Sequence, residues 1–175
     1  MNSMIDVMKG RRSIRNFKPS MVERTDISQI IEAGLYAASG MGKQAPIVVA
    51  VTNKDLRDKL SEMNRKIMGR PEGFDPFYGA PVVLVVLADK SVPTYVYDGS
   101  LTIGNMMLAA HTLGLGSIWI HRAKEEFESE EGKTLLKALG IEGDFEGIGH
   151  CCVGYIEGEE PEAKERRDGR VFWAE

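Results

Sequence analysis

The most sharply patterned stretch of this chain is Val82 to Ala88 (VVLVVLA), an unbroken apolar run with no polar face. Such a run, β-branched and short, predicts a strand covered on both sides. Ile47 to Thr52 (IVVAVT) reads the same way, and Ser117-Ile118-Trp119-Ile120 and Ile148 to Tyr155 predict a third and a fourth strand. Elsewhere the apolar positions recur every three or four residues. Met4 to Lys9 predicts a short helix. Ile27, Ile30, Ile31, Gly34, Leu35 and Ala38 predict a second, capped by Thr25 or Asp26 and stopped at Ser39-Gly40-Met41-Gly42. Leu56, Leu60, Met63 and Ile67 mark one face of a third over 55–68, and 132–139 predicts another short helix. Ser100 to Leu113 has almost no polar face, which predicts a helix buried in a core or between subunits. Pro71 to Pro81, rich in Pro, Gly and aromatic residues, predicts a loop.

Helices come first and strands then alternate with helices, with no internal repeat or low-complexity linker. That order predicts an α+β or three-layer α/β sandwich around four or five strands. At 175 residues the chain suits one domain over 1–175. The apolar helix is more than a chain of this size hides alone, so an obligate homodimer is expected, with an interface on the order of 2,000 Å² or more.

Composition narrows the partners. The chain is 43% hydrophobic and 27% charged with a net charge of −4, so its overall field favours neither nucleic acid nor an anionic membrane. Any anion site must come from local clustering of Lys and Arg. The only cysteines, Cys151 and Cys152, are adjacent and give no disulfide framework, which points to a reducing compartment. Three histidines and two cysteines lie scattered without metal-ligand spacing, so no metal is expected. Met1 to Asp6 carries no signal-peptide pattern and no stretch approaches the roughly 20 apolar residues of a membrane span. The expected location is cytoplasmic.

The candidate chemistry is local. Arg11, Arg12 and Arg15 fall within five residues around Ser13. Such cations repel one another unless an anion or carboxylates compensate, and the guanidinium fork suits a phosphate; a solvated basic turn is the alternative. The Ser39–Gln44 glycines precede a strand, so they are a helix stop and turn and not a phosphate-binding P-loop. Gly114-Leu115-Gly116 also leads into a strand and is no dinucleotide fingerprint. His121 and Arg122 end the third strand, where a lone histidine is more often structural, as His111 and His150 are expected to be. Lys164, Arg166 and Arg167 sit in an acidic run that reads as solvated.

Taken in order, RRSIRNF, ASGMGKQAP, DGSLTIGNMMLAAHTLGLGSIWIHR and GYIEGEEPEAKER resemble the nitroreductase family of FMN-dependent oxidoreductases along essentially the whole chain. The resemblance implies a mostly antiparallel sheet with helices on both faces, an entwined homodimer, and FMN sites at the dimer interface reduced by NAD(P)H. It implies that Arg11 and Ser13 contact the phosphate or ribityl chain, that Arg12 contributes mainly backbone, and that Arg15 reaches the N1/O2 edge of the ring. Lys164 and Arg166 match a late basic pair that closes on the phosphate. Ser39, Gly40, Met41, Gly42 and Gln44 match a segment that the partner subunit lays against the flavin. Trp119, Ile120, His121 and Arg122 match the segment beside the ring, with the Arg122 N–H meeting N5. Hydride would pass from NAD(P)H through N5 to a nitroaromatic, quinone or similar acceptor by a ping-pong mechanism. Reductive dehalogenases, flavin-fragmenting enzymes and low-turnover flavin binders share the same site, and an anion-binding module would use the same arginines. Two departures stand out: Gln44-Ala45-Pro46 replaces a frequent Gln-Pro-Trp, and His121-Arg122 replaces Glu-Gly or Gly-Gly. The chain also lacks the long helical insertions of larger members.

Overall fold

A computed structural model describes residues 3–175; Met1 and Asn2, the first residues of the opening segment read above as no signal peptide, lie outside the described residues. The strands are β1 (Pro46–Val51), β2 (Val82–Asp89), β3 (Gly116–Ile120) and β4 (Phe145–Gly154). The helices are α1 (Met4–Gly10), α2 (Arg24–Leu35), α3 (Lys54–Ile67), α4 (Tyr95–Thr112), α5 (Ala123–Glu128) and α6 (Glu130–Ala138). The sheet runs β1-β2-β4-β3 with every neighbouring pair antiparallel. Helices cover both faces, so the α+β sandwich expected from the sequence is the fold.

The doubly apolar pattern of β2 follows from its central place. Val82, Leu84 and Val86 pack with Ile30, Ile103 and Met106 of α2 and α4, while Val83, Val85 and Leu87 pack with Leu60, Ala123 and Phe127 of α3 and α5. On β4 the same alternation sends Cys151 to the first cluster and Cys152 to the second, so the neighbouring thiols face opposite layers and stay free. Burial pushes the Cys151 thiol up to about 12, and Cys152 upward as well, so both are inert core residues.

A bulge shapes β4. Pairing shifts between Val86–Gly149 and Leu87–Gly147, leaving Ile148 as the extra residue. A Cβ on Gly147 would lie 2.2 Å from the Ala123 carbonyl oxygen, and one on Gly149 would lie 2.6 Å from Trp119 Nε1. Only glycine lets α5 seat on the sheet and the Trp119 indole lie across it.

Several boundaries differ from expectation. The N-cap of α2 is Glu23, which makes no side-chain capping bond, and the helix ends at Leu35, short of Ala38. Helix α4 starts at Tyr95, five residues before the apolar run. Its buried Asp98 accepts the Gly40 N–H at 3.0 Å and the Thr94 hydroxyl at 3.1 Å. Hydrogen bonding thus sustains a carboxylate on a face that the apolar pattern does not include. Helix α5 was not expected at all, because only Ala123 and Phe127 among its six residues turn an apolar side chain inward. Helix α4 is also only partly covered: Ile103 and Met106 are fully buried, but Tyr97 is 72% and Leu101 51% exposed. No helix among the described residues is long and apolar enough to cross a membrane.

Candidate functional site

The chain leaving α1 runs along the outer edge of β3. Ser13 bridges Ser117 in parallel, and the Ile14 N–H donates to the Ser117 carbonyl at 3.0 Å. Burial of Ile14 and Phe17 pins the segment down. From Ser13 beside Ser117, the period of two along extended chain sets Arg15 beside Trp119.

The three arginines then separate by what their side chains do. Arg12 Nη1 donates to the carbonyls of Lys9 at 2.7 Å and Arg11 at 2.8 Å, closing the end of α1. Arg11 instead keeps a buried donor, Nη1, with no acceptor among the described residues. A buried unpaired guanidinium nitrogen is costly and suits a phosphate oxygen. The exposed Arg15 guanidinium stands 6.0 Å from the Tyr78 ring centroid.

Arg15, Phe74, Tyr78, Trp119, His121 and Arg122 line a cavity of about 250 Å³. The structure therefore brings Arg15 together with Trp119, Ile120, His121 and Arg122 around one cavity. The opposite wall was missed from sequence. It comes from the 71–81 loop, whose density of aromatics was the available signal. That wall stands on Asp75, which accepts from the Ser61 hydroxyl at 2.7 Å and from the N–H groups of Phe77 at 2.9 Å and Gly79 at 2.7 Å. Asp75 also pairs with Arg57, whose Nε donates to the Ala80 carbonyl at 3.1 Å. Burial alone would raise the Asp75 carboxyl, but Arg57, Ser61 and the Gly79 N–H together hold it below the usual carboxylate range.

Other expected residues are not at this cavity. Ser39, Gly40, Met41, Gly42 and Gln44 lead into β1, at the opposite edge of the sheet from β3. There Ser39 Oγ accepts the Gln44 N–H at 3.1 Å, and Ser39 and Gln44 line a more apolar cavity of about 340 Å³ with Ile31, Leu35 and Val48. Three interstrand spacings separate the two edges, roughly 14 Å. The residues lining the larger cavity include no cation, whereas Arg15 and Arg122 line the smaller one. Lys164 and Arg166 are exposed in the run after β4 and make no ion pair or hydrogen bond among the described residues. Thus a single chain joins Arg15 with 119–122 but not with 39–44, Lys164 or Arg166.

Arg122 has φ of 84°, a left-handed conformation that only glycine adopts freely, and its side chain pairs with Glu125 at 3.2 Å. Its N–H donates to no carbonyl or side chain among the described residues. Arg122→Gly is expected to stabilise the fold by about 0.5–1 kcal/mol, because relief of the left-handed strain exceeds the loss of an exposed ion pair. A denaturant midpoint below that of the parent protein would refute this.

A model of the nitroreductase family matches residues 8–155. A provisionally named NADH dehydrogenase/NAD(P)H nitroreductase from Methanothermobacter thermautotrophicus is 30% identical over 120 residues, 66% of this chain; the match spans 59% of that relative's length. A Vibrio harveyi NADPH-flavin oxidoreductase is 26% identical over 180 aligned residues, covering 98% of this chain and 72% of the relative. The solved structure of a Bacteroides fragilis nitroreductase with bound FMN matches with a TM-score of 0.89 at 26% identity, covering 100% of both chains.

Proposed function

This chain belongs to the nitroreductase family, and we propose that it is an FMN-dependent oxidoreductase that takes hydride from NAD(P)H and delivers it, in alternating half-reactions, to a nitroaromatic, quinone or similar acceptor. The observation that carries this reading is the buried, unpartnered Nη1 of Arg11, at the head of the segment whose Arg15 lines the cavity with Trp119–Arg122. A phosphate donor and a ring-sized, partly aromatic cavity, joined by a few residues of extended chain, fit a flavin mononucleotide. The relative from Vibrio harveyi is named for flavin and NADPH, and the Bacteroides fragilis protein holds FMN.

When bound, FMN supplies the two-electron chemistry. The chain's own residues bind and orient. Arg11 and Ser13 hold the phosphate and ribityl side. Arg15, which lines the cavity, would set a permanent positive charge beside the ring and so favour its reduced, more negative state. Trp119, Ile120, His121 and Arg122, which line the cavity, would hold the ring, and the Arg122 N–H would be a donor toward it. No general acid or base from the protein is required.

A second copy of the chain completes the site in this reading. Ser39–Gln44, Lys164 and Arg166 lie away from the cavity of their own chain and would reach the cavity of a partner. The apolar surface left on one chain is of the kind that pairing covers: Tyr97 and Leu101 on α4, Met4, Ile5 and Met8 on α1, and Phe172 and Trp173 in the tail are all exposed. The homodimer is thus part of the proposal.

The test is the visible spectrum of the purified protein, before and after anaerobic addition of NADH and of NADPH. Flavin absorbance that bleaches with either donor is expected. Bound flavin that neither donor bleaches would favour a flavin binder with another role. A colourless protein that takes up no FMN would sink the reading.

A further inference from the structure

Directly behind the 120–122 wall lies a polar network that the reading above does not use. Asn64 on α3, Glu126 on α5 and His150 on β4 are each 0% exposed. His150 Nε2 lies 2.9 Å from Glu126 Oε2, and Glu126 Oε1 accepts from Asn64 Nδ2 at 2.6 Å. The same Asn64 nitrogen donates to the His121 carbonyl at 2.8 Å, and His150 Nδ1 lies 3.3 Å from the Ile120 carbonyl. A carbonyl only accepts, so Nδ1 carries a hydrogen, and the Nε2–Oε2 contact holds one further proton between its two atoms. The Glu126–His150 pair is therefore neutral as a unit. The two carbonyls it and Asn64 engage belong to the consecutive residues that precede Arg122.

Stability does not account for this arrangement. A buried pair of this kind is often no better than apolar packing, and apolar neighbours are at hand, with the Phe77 ring centroid 5.1 Å from that of His150. Asn64 also leaves its Oδ1 buried without a partner, which native interiors avoid. What the network supplies is direction. It ties three elements to one strand end, and a left-handed non-glycine residue such as Arg122 persists only where its surroundings over-determine it.

We propose that Asn64, Glu126 and His150 are positioning residues that clamp the carbonyls of Ile120 and His121 and thereby aim the Arg122 N–H into the cavity. In one respect this rests on the FMN reading: that this N–H is the donor presented to the flavin.

Three variants test it. Asn64→Leu removes both donated hydrogen bonds at similar volume, and Asn64→Ser is a milder change whose hydroxyl cannot span both acceptors. Glu126→Gln is the conservative control. Its amide oxygen accepts from Asn64 and its NH2 donates to a neutral His150, so every contact and the net charge persist. Amide hydrogen exchange over 120–122, measured without FMN, should accelerate by roughly tenfold or more in the Asn64 variants and stay as in the parent in Glu126→Gln. The reduction potential of bound FMN should shift in Asn64→Ser and not in Glu126→Gln. Unchanged exchange in Asn64→Ser, or Glu126→Gln behaving like Asn64→Leu, overturns the clamp. Exchange that responds while the potential does not overturns its role toward the flavin. Failure of the parent protein to take up FMN is a separate outcome: it sinks the functional reading, and the exchange comparison then decides the clamp alone.

Discussion

Asp75→Ala is expected to lower the stability of the fold by about 3 kcal/mol at neutral pH, the lower end of what breaking a buried ion pair costs. The lower end applies because the Asp75 side chain is 31% exposed, whereas that of Arg57 is only 10% exposed. Without the carboxylate, Arg57 keeps its Nε bond to the Ala80 carbonyl and its Nη1 contact with the half-exposed Asp58 at 3.1 Å, but its buried Nη2 loses its acceptor. The Ser61 hydroxyl and the N–H groups of Phe77 and Gly79 lose their acceptor at the same moment. These bonds shape the loop that presents Phe74 and Tyr78 to the cavity, so the variant should also bind FMN more weakly. The pH dependence has a definite sign. The carboxyl is held below its ordinary value in the folded state, so its contribution is fully present above the unfolded value of about 3.9 and is lost as pH falls through the folded value. The deficit of Asp75→Ala should therefore shrink below about pH 4. Urea unfolding of both proteins at neutral pH and near pH 3 checks this. A deficit under about 1 kcal/mol at pH 7, or one that persists undiminished in acid, would contradict it.

The same loop shows where reading the sequence stops. Strand β2 was legible because both its faces meet helices, so its whole length is apolar. The 71–81 loop was legible as a loop, but not as a wall, because the bonds that fold it come from Arg57 and Ser61 on α3. Nothing in local pattern pairs an aspartate with a helix that precedes it by a dozen or more residues. Helix α5 escaped for a related reason: Ala123 and Phe127 find cover only because Gly147 and the β4 bulge let the helix sit against the sheet. His150 was rightly expected to be structural in the sense of being buried, yet its partners Glu126 and Asn64 come from two other elements. The meeting of Arg15 with Trp119–Arg122 was reached only through resemblance. Its physical cause, the parallel Ser13–Ser117 bridge, has no local signature.

Within the N-terminal cluster the structure makes two arginines of identical composition experimentally separable. Arg11→Met should weaken FMN binding by roughly 10- to 100-fold, the equivalent of losing one charge-assisted contact of about 1.5–3 kcal/mol. It should also leave the protein without FMN as stable as before, or more stable by up to about 1 kcal/mol, because it removes a buried Nη1 that has no acceptor. Arg12→Met should do the reverse. Its Nη1 is already committed to the carbonyls of Lys9 and Arg11, so the α1 end should lose about 0.5–1 kcal/mol while FMN affinity changes little. Arg11→Lys should fall between, since an ammonium keeps the charge but cannot present the fork. Fluorescence titration with FMN and urea unfolding without it measure the two axes independently. The assignment of Arg11 to the phosphate fails if Arg11→Met binds FMN like the parent protein, or if it costs the protein without FMN more stability than Arg12→Met does. A site in which binding and stability trade places between neighbouring arginines is the behaviour expected of a residue held ready for an anion, and a solvated basic turn would show no such crossing.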